Sequence, residues 1–348
     1  MAKTYGFGII GTGMIGNYHA TAINQLKNGK LIAVYDQVPE RAAAFADKYQ
    51  VKSYSTLNDF LSDPNIDVVT IGTPSGSHME PAIAGAEHGK HVICEKPLEV
   101  TLERIDRMIE AHVKAGTKLG GVFNSRYEPL NQALKKVVTS GRMGKLTYGG
   151  GFVPWYRSQE YYDQGGWRGT WKFDGGGALM NQGAHTVDLL QWLMGSPVKK
   201  ITAFTALLSH ERLEVEDNAV ACLEFENGAL GILHASTSLF PGLPMRVELG
   251  GTGGTFITET TCLKFFKLVE AKPEDEKLME EFGKPAVIGG AADPKAISAD
   301  NHRRNFESFL KALDDGREPE VSGVEARKAV QIILGVYESA KTGKPVIL

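Results

Sequence analysis

The sequence predicts an α/β protein in two parts. A doubly wound parallel sheet occupies residues 1–123, and an α+β domain with an open, predominantly antiparallel sheet occupies 124–348. Three observations carry this. Up to about residue 123, short apolar runs alternate with helical patterns at the spacing of βα units. The first run, Phe7 to Ile10, ends in Gly11-Thr12-Gly13-Met14-Ile15-Gly16 and leads into a helical pattern. Beyond residue 124 longer strands dominate, and Asn227-Gly228 between the apolar runs 219–225 and 229–235 is a strong hairpin signal.

The glycine spacing is that of a phosphate-binding turn between strand and helix. Gly11 permits the turn, Gly13 lets backbone approach a pyrophosphate, and Gly16 lets the helix pack on the strand, while the free N–H groups of the helix N-terminus face the phosphates. A chain with 40 glycines can produce this spacing by chance. Asp36 strengthens it: it closes the apolar run 31–35, 20 residues after Gly16, where an acid accepts hydrogen bonds from an adenosine ribose. Together they predict a Rossmann dinucleotide-binding domain.

The following elements keep the alternation. Pro39 starts a helix through Tyr49, and Thr56 caps a short one over 57–61. The strand 67–71 ends at Gly72-Thr73-Pro74, and a helix over 77–88 follows. The strand 91–94 ends at Glu95-Lys96-Pro97, Thr101 caps a helix stopped by Gly116, and 119–123 is a further strand ending at Asn124. In such a sheet ligands bind beyond the carboxyl ends of the strands, so Gly11–Gly16, Asp36, Thr73-Pro74, Glu95–Pro97 and Asn124 are expected on one rim. In the second part a helix is expected over 129–138, then a Gly/Trp/Tyr-rich segment over 149–177 and a helix over 178–194. The charge run 272–281 reads as a solvated helix or loop. Closing helices are expected over 303–313 and 325–341, and these can pack back on the first domain.

Composition bounds the function. With 42% hydrophobic and 23% charged residues and a net charge of −3, the chain reads as an ordinary globular protein, and neither a nucleic-acid partner nor a membrane is expected. Cys94, Cys222 and Cys262 lack metal-site spacing and read as buried reduced thiols; no metal is expected. With no signal-peptide pattern before the first strand, the cytoplasm is the expected compartment.

Two clusters carry chemistry. A lysine at the end of a strand on the cofactor rim, Lys96, can bond a substrate hydroxyl and stabilise the charge that develops as hydride leaves carbon. In the run from Gly175 to Asp188, Asn181, His185 and Asp188 fall at i, i+4 and i+7 of one helix face. His185 suits acid–base work near neutral pH, and Asp188 could orient it; a hydrogen-bonded core histidine is the alternative. In the segment 155–171, Tyr156, Arg157, Trp167 and Arg168 could stack on and bond a sugar, or the aromatics could pack beneath a loop or at a subunit interface. His78, Asn124 and Arg126 are lesser candidates. His78 could cap the following helix, and Arg126 could form an interdomain salt bridge.

These residues resemble the Gfo/Idh/MocA oxidoreductases over nearly the whole chain: Gly11–Gly16, Thr73-Pro74 followed by His78, Glu95-Lys96-Pro97, and the glycine triplet leading to Asn181 and His185. The resemblance implies hydride transfer between a nicotinamide cofactor and a hydroxyl-bearing carbon of a sugar, cyclitol or nucleotide-sugar. It also implies a dimer or tetramer formed through the C-terminal sheet. It makes Lys96 the catalytic lysine and His185 the catalytic histidine. Thr73, Pro74 and Glu95 become ribose contacts, and Trp167-Arg168 neighbours of the nicotinamide end. The cofactor expected is NAD, because Asp36 would face the extra phosphate of NADP. Many relatives carry aspartate where this chain has Asn181, which puts the proton more squarely on Lys96 and His185. Two other classes stay in view. A redox glycosidase with bound NAD should depart from the Glu-Lys-Pro, and a non-catalytic NAD-binding sensor should lack Lys96 or His185; this chain keeps all of them.

Overall fold

The computed structural model describes residues 3–164, 166–284 and 299–348, so residue 165 of the aromatic segment and 285–298 of the second domain lie outside the described residues. The chain forms two compact units: Met1–Asn124 with Ser298–Val330, and Ser125–Ile297 with Gln331–Leu348.

The first unit is built on six parallel strands: β1 (Tyr5–Ile10), β2 (Gly29–Tyr35), β3 (Lys52–Tyr54), β4 (Val68–Ile71), β5 (His91–Cys94) and β6 (Leu119–Gly121), in the order β3-β2-β1-β4-β5-β6. β1 and β4 are buried along their whole length, as continuous apolar runs require when helices cover both faces. Phe7, Ile9, Val34, Val68 and Ile93 pack with Ile23 of the helix Met14–Asn24 and with Phe306 and Phe309 of the helix Asp300–Asp314. Caps follow the sequence: Thr56 and Thr101 accept from Asp59 N and Arg104 N, and Gly116 closes its helix in the left-handed region. The segment expected as one helix over 77–88 is instead a 3₁₀ turn Ser75–Ser77 followed by the helix Met79–Glu87.

The second unit carries an eight-stranded sheet. Its strands are β7 (Leu146–Pro154), β8 (Val198–Ala206), β9 (Asn218–Phe225), β10 (Leu230–Ser236), β11 (Arg246–Gly251), β12 (Gly254–Glu259), β13 (Cys262–Leu268) and β14 (Val346–Ile347). The order is β13-β12-β11-β7-β10-β9-β8-β14, antiparallel except between β7 and β10. The hairpin at Asn227-Gly228 forms, with Phe225 N donating to Ala229 O (2.9 Å). The start of the glycine- and aromatic-rich segment, 149–154, belongs to β7 rather than to a loop. β8, β9 and β10 alternate buried and exposed residues, so Ile201, Ala221 and Leu233 lie buried while Phe204, Val220 and Ile232 stand exposed. The register sets Phe204 opposite Val220, and Ile232 opposite Cys222. Cys94 and Cys262 are buried as expected, but Cys222 is exposed on that sheet face, because its strand presents every second side chain outward.

A further correction concerns the helix expected over 178–194. It is two pieces, a π-turn Ala178–Gln182 and a helix Ala184–Met194, joined at Gly183. Gly183 N bonds Ala178 O (2.9 Å), five residues back, so Asn181 and His185 are not successive positions of one α-helix face. Among the described residues no helix is long and apolar enough to cross a membrane.

Candidate active site

In the first unit the parallel strands deliver the predicted residues to their carboxyl ends. Gly11 N donates to Tyr35 O, Gly72 N to Ile10 O and Glu95 N to Ile71 O, so four strand ends are tied side by side where the motifs begin. Gly11 has φ +92°, a conformation glycine adopts without strain, and a Cβ there would lie 2.8 Å from Gly72 O. A Cβ on Gly16 would lie 2.4 Å from Gly11 O, whereas one on Gly13 would meet nothing within 4 Å. Backbone is thus packed behind the loop and open space lies beside Gly13, at the start of the helix opening with Met14 and Ile15, which is the cradle a pyrophosphate requires.

Asp36 tightens this loop. Its Oδ2 accepts from Thr12 N (2.9 Å) and Thr12 Oγ1 (2.8 Å), and its Oδ1 accepts from Val38 N (2.9 Å). A carboxylate held by three donors stays in place with lone pairs to spare for ribose hydroxyls. Thr73 Oγ1 donates to Ser77 O (3.2 Å). His78 stands at the N-cap of the helix Met79–Glu87, but its side chain makes no capping bond. Its buried ring lies between the Pro97 and Leu98 carbonyls at Nδ1 (3.0 and 3.3 Å) and the Thr73 carbonyl at Nε2 (3.0 Å). His78 therefore clasps the Thr73-Pro74 loop to the Glu95-Lys96-Pro97 loop, and both ring nitrogens are engaged with protein.

Glu95 is buried, and its partners come from parts of the chain that sequence reasoning did not connect. Oε1 accepts from His19 Nε2 (3.0 Å) and His302 Nε2 (3.3 Å), and Oε2 from the Lys96 backbone N–H (3.1 Å). The Asn124 amide donates to His302 Nδ1 (3.2 Å), leaving Nε2 to donate to the carboxylate. Burial pushes Glu95 up, but the two imidazoles outweigh it and hold the carboxyl well below its ordinary range; burial holds His19 below its own. One ligand atom of each of His19, Glu95 and His302 lies within 4.8 Å of the others, a donor set that suits zinc, but hydrogen bonds account for both imidazole–carboxylate contacts. Lys96 follows this carboxylate, half-buried, at the end of β5.

In the second unit Asn181 and His185 are half-buried while Gln182, Gly183, Ala184, Thr186, Val187 and Asp188 are buried, so these two polar positions are where the segment reaches toward solvent. Asp188 holds Arg126. Its two oxygens accept from Arg126 Nε (2.8 Å) and Nη2 (2.6 Å), with the guanidinium 5.7 Å from the Trp192 ring centre. Arg126 is thus buried in a bidentate pair within its own unit, with Asp188 engaged there as its partner. The carboxylate behind Asn181 comes instead from Asp174. The Asn181 amide donates to Asp174 Oδ1 (2.6 Å), whose Oδ2 accepts from Gly169 N (2.9 Å).

The aromatic segment gathers on Tyr161, which sequence reasoning did not single out. The guanidinium of Arg168 stands 4.3 Å from its ring centre and 5.4 Å from that of Trp167, and Arg157 stands 5.5 Å from Tyr161 and 5.0 Å from Trp155. Burial lowers the Arg157 pKa from its ordinary value. The Gln182 amide donates to the Tyr161 hydroxyl (3.4 Å), joining this cluster to the π-turn. Tyr156 faces away, edge-on to Phe240 at 5.2 Å.

Behind the turn lies Glu216. Its Oε2 accepts from Gly177 N and its Oε1 from Leu179 N, both at 2.8 Å, and the Tyr337 hydroxyl donates to Oε1 (3.1 Å). Burial drives its carboxyl up to about 7 against these three donors. The one sequence signal for it was an acid directly ahead of an alternating strand.

Comparison with known proteins agrees with this geometry. Residues 5–122 match the oxidoreductase family's NAD-binding Rossmann fold, and residues 131–257 match the GFO/IDH/MocA C-terminal domain. The crystal structure of the WlbA dehydrogenase from Bordetella pertussis in complex with NADH and UDP-GlcNAcA is similar at 33% identity and a TM-score of 0.91, covering 100% of this chain and 99% of that one. The corresponding WlbA dehydrogenase of Chromobacterium violaceum is similar at 31% identity and a TM-score of 0.89, over 100% and 97%. The myo-inositol 2-dehydrogenase of Thermotoga maritima is 28% identical over 96% of this chain and 95% of its own length. With its glycine-rich cradle, its two matched domains and these relatives, the chain belongs to the Gfo/Idh/MocA family of oxidoreductases and is an NAD(P)-dependent dehydrogenase acting on CH–OH groups.

Proposed function

We propose that the enzyme oxidises a hydroxyl-bearing carbon of a carbohydrate, with Lys96 and His185 handling the proton. The observation that carries this reading is the place of Lys96: the end of β5, on the same strand-end rim as the glycine-rich cradle and Asp36. NAD, when bound by residues 11–16, Asp36 and the Thr73-Pro74 loop, supplies a hydride acceptor. The chain's own residues do the rest. The Lys96 ammonium bonds the reacting hydroxyl and stabilises its developing negative charge, and His185, basic near neutral pH, takes the proton. Asn181, fixed by Asp174, orients a neighbouring hydroxyl. Thr73, Pro74 and the spare lone pairs of Asp36 serve the ribose groups.

For the substrate we propose a sugar or polyol, with a nucleotide-linked sugar acid first among the candidates. Arg157 and Arg168, gathered on one tyrosine ring, offer an anionic group two guanidinium ions, and the Bordetella relative at 33% identity holds UDP-GlcNAcA. A homodimer or homotetramer through the C-terminal sheet is part of the proposal, supported by the exposed apolar face, on which Phe204 is 74% exposed. Incubation with NAD and a panel of inositols, sugars, uronic acids and nucleotide-linked sugars tests the reading. Net NADH with at least one of them is expected. Glycoside cleavage without net NADH would point to the redox glycosidase, and binding without turnover to a sensor.

A further inference from the structure

We propose that Glu216 and Tyr337 are positioning residues for the turn that carries Asn181 and delivers His185. The inference rests on the roles proposed above for those two side chains. Three successive backbone N–H groups at the start of the turn end on one residue: Gly177 N on Glu216 Oε2 (2.8 Å), Ala178 N on the Glu216 carbonyl (3.0 Å) and Leu179 N on Oε1 (2.8 Å). From this anchor the bonding continues without a break. Asn181 N donates to Gly177 O, Gly183 N to Ala178 O, and Thr186 N and Val187 N to Gly183 O, all at 2.9 Å. His185 thus sits in the first turn of a helix whose start is reached from Glu216 in two hydrogen-bonded steps.

The glycine triplet has its reason here. A Cβ on Gly177 would lie 1.7 Å from the Glu216 carbonyl oxygen, and one on Gly176 would lie 2.2 Å from the Tyr337 hydroxyl. Tyr337, in the helix Gly323–Thr342, donates to Glu216 Oε1 (3.1 Å), and its ring meets the edge of Trp171 at 5.4 Å. A π-turn closes fewer bonds within itself than an α-helix of equal length, so its shape depends on what holds it from outside. Both carboxylate oxygens face N–H donors, an arrangement that an amide side chain cannot copy, because its NH₂ would face one of them.

Hydrogen exchange and steady-state kinetics of the full-length enzyme with NAD, for the unmodified protein, Glu216→Gln and Tyr337→Phe, test this. In Glu216→Gln, exchange across 175–187 should quicken roughly tenfold, the scale for one lost buried acceptor, while exchange across 5–35 stays unchanged. The kcat should fall roughly 10- to 100-fold from the displaced groups, with NAD affinity within about twofold of the unmodified value. Tyr337→Phe should move exchange and kcat in the same direction by less. If Glu216→Gln does not fold, Tyr337→Phe decides, and no change in either readout overturns the proposal. Unchanged exchange in a folded Glu216→Gln, uniform acceleration over all segments, or faster exchange with kcat intact would each overturn it. Should the unmodified enzyme oxidise no carbohydrate, the functional reading fails, while local acceleration in 175–187 would still support the anchor.

Discussion

Glu95 and Glu216 invite comparison, since each is a buried carboxylate with three hydrogen-bond donors standing behind a segment that bears chemistry. Glu95 takes two imidazoles and the Lys96 amide; Glu216 takes two backbone amides and a phenol. Burial pushes both upward. Glu95 nevertheless ends well below its ordinary range, and Glu216 is driven up to about 7. The number of donors is equal, so it does not decide the outcome. The imidazoles around Glu95 can themselves carry a proton's charge, which favours the ionised carboxylate; amides and a phenol give only dipoles, and these do not offset the lost hydration of Glu216. One carboxylate is built to keep its charge beside the cofactor rim, the other to sit near its titration midpoint beneath a turn.

The largest expected effect tests what the Glu216 side supports. His185→Ala should lower kcat by roughly 10²- to 10⁴-fold, the scale for one proton-transfer partner, and should remove the acidic limb of the kcat/KM profile. An active variant with an unchanged profile would move the proton to another residue and leave the turn without its role.

The next effect separates the two carboxylates by sign. Glu216 keeps its proton in the fold up to about pH 7 but releases it near 4.5 when unfolded, so its stabilising contribution is present below 4.5 and is lost as pH rises toward 7. The loss amounts to about 3 kcal/mol. Glu95 runs the other way: its contribution is present above the ordinary carboxyl range and fades as pH falls below it. Thermal unfolding from pH 4.5 to 8 should therefore show a decline that Glu216→Gln flattens and Glu95→Gln does not. A slope unaltered by Glu216→Gln would contradict the comparison.

Glu95→Gln sharpens the first half of it. The glutamine carbonyl can still accept from His19 and His302, but its NH₂ would face the Lys96 amide, so stability should drop by about 1–2 kcal/mol in chemical denaturation. A neutral result would mean that the imidazoles alone hold the loop.

Smaller still is the coenzyme preference. Asp36, fixed by Thr12 and Val38 amides, would face the 2′-phosphate of NADP, and kcat/KM should favour NAD by about 1–3 kcal/mol, with Arg41 nearby in sequence to offset part of it. Equal values for the two coenzymes would show that Asp36 spends its charge on the loop alone.

The same two regions show what was legible in the sequence. The cradle, Asp36, Thr73-Pro74 and Glu95-Lys96 could be read because each follows a strand locally, and a parallel sheet brings its strand ends to one rim without further information. The partners of Glu95 could not, because His19 lies in the first helix and His302 more than two hundred positions from the carboxylate it bonds. In the second unit the motif from Gly175 to His185 stood out, but its shape did not. The periodicity of Asn181, His185 and Asp188 implied one continuous helix, whereas the segment is a π-turn and a helix meeting at Gly183, with Glu216 and Tyr337, both distant in sequence, bonded behind the turn. Spacing alone suggested that Asp188 could orient His185, and its pairing with Arg126, from another segment, was not legible locally.

The central claim is that Lys96 stabilises charge on the hydroxyl during hydride transfer, and single-turnover NADH formation by Lys96→Met, measured beside its NAD dissociation constant, tests it most directly. The account predicts a rate lower by roughly 10²- to 10⁴-fold with NAD affinity nearly unchanged. A near-normal rate would contradict it, leaving Lys96 a structural residue at the end of its strand.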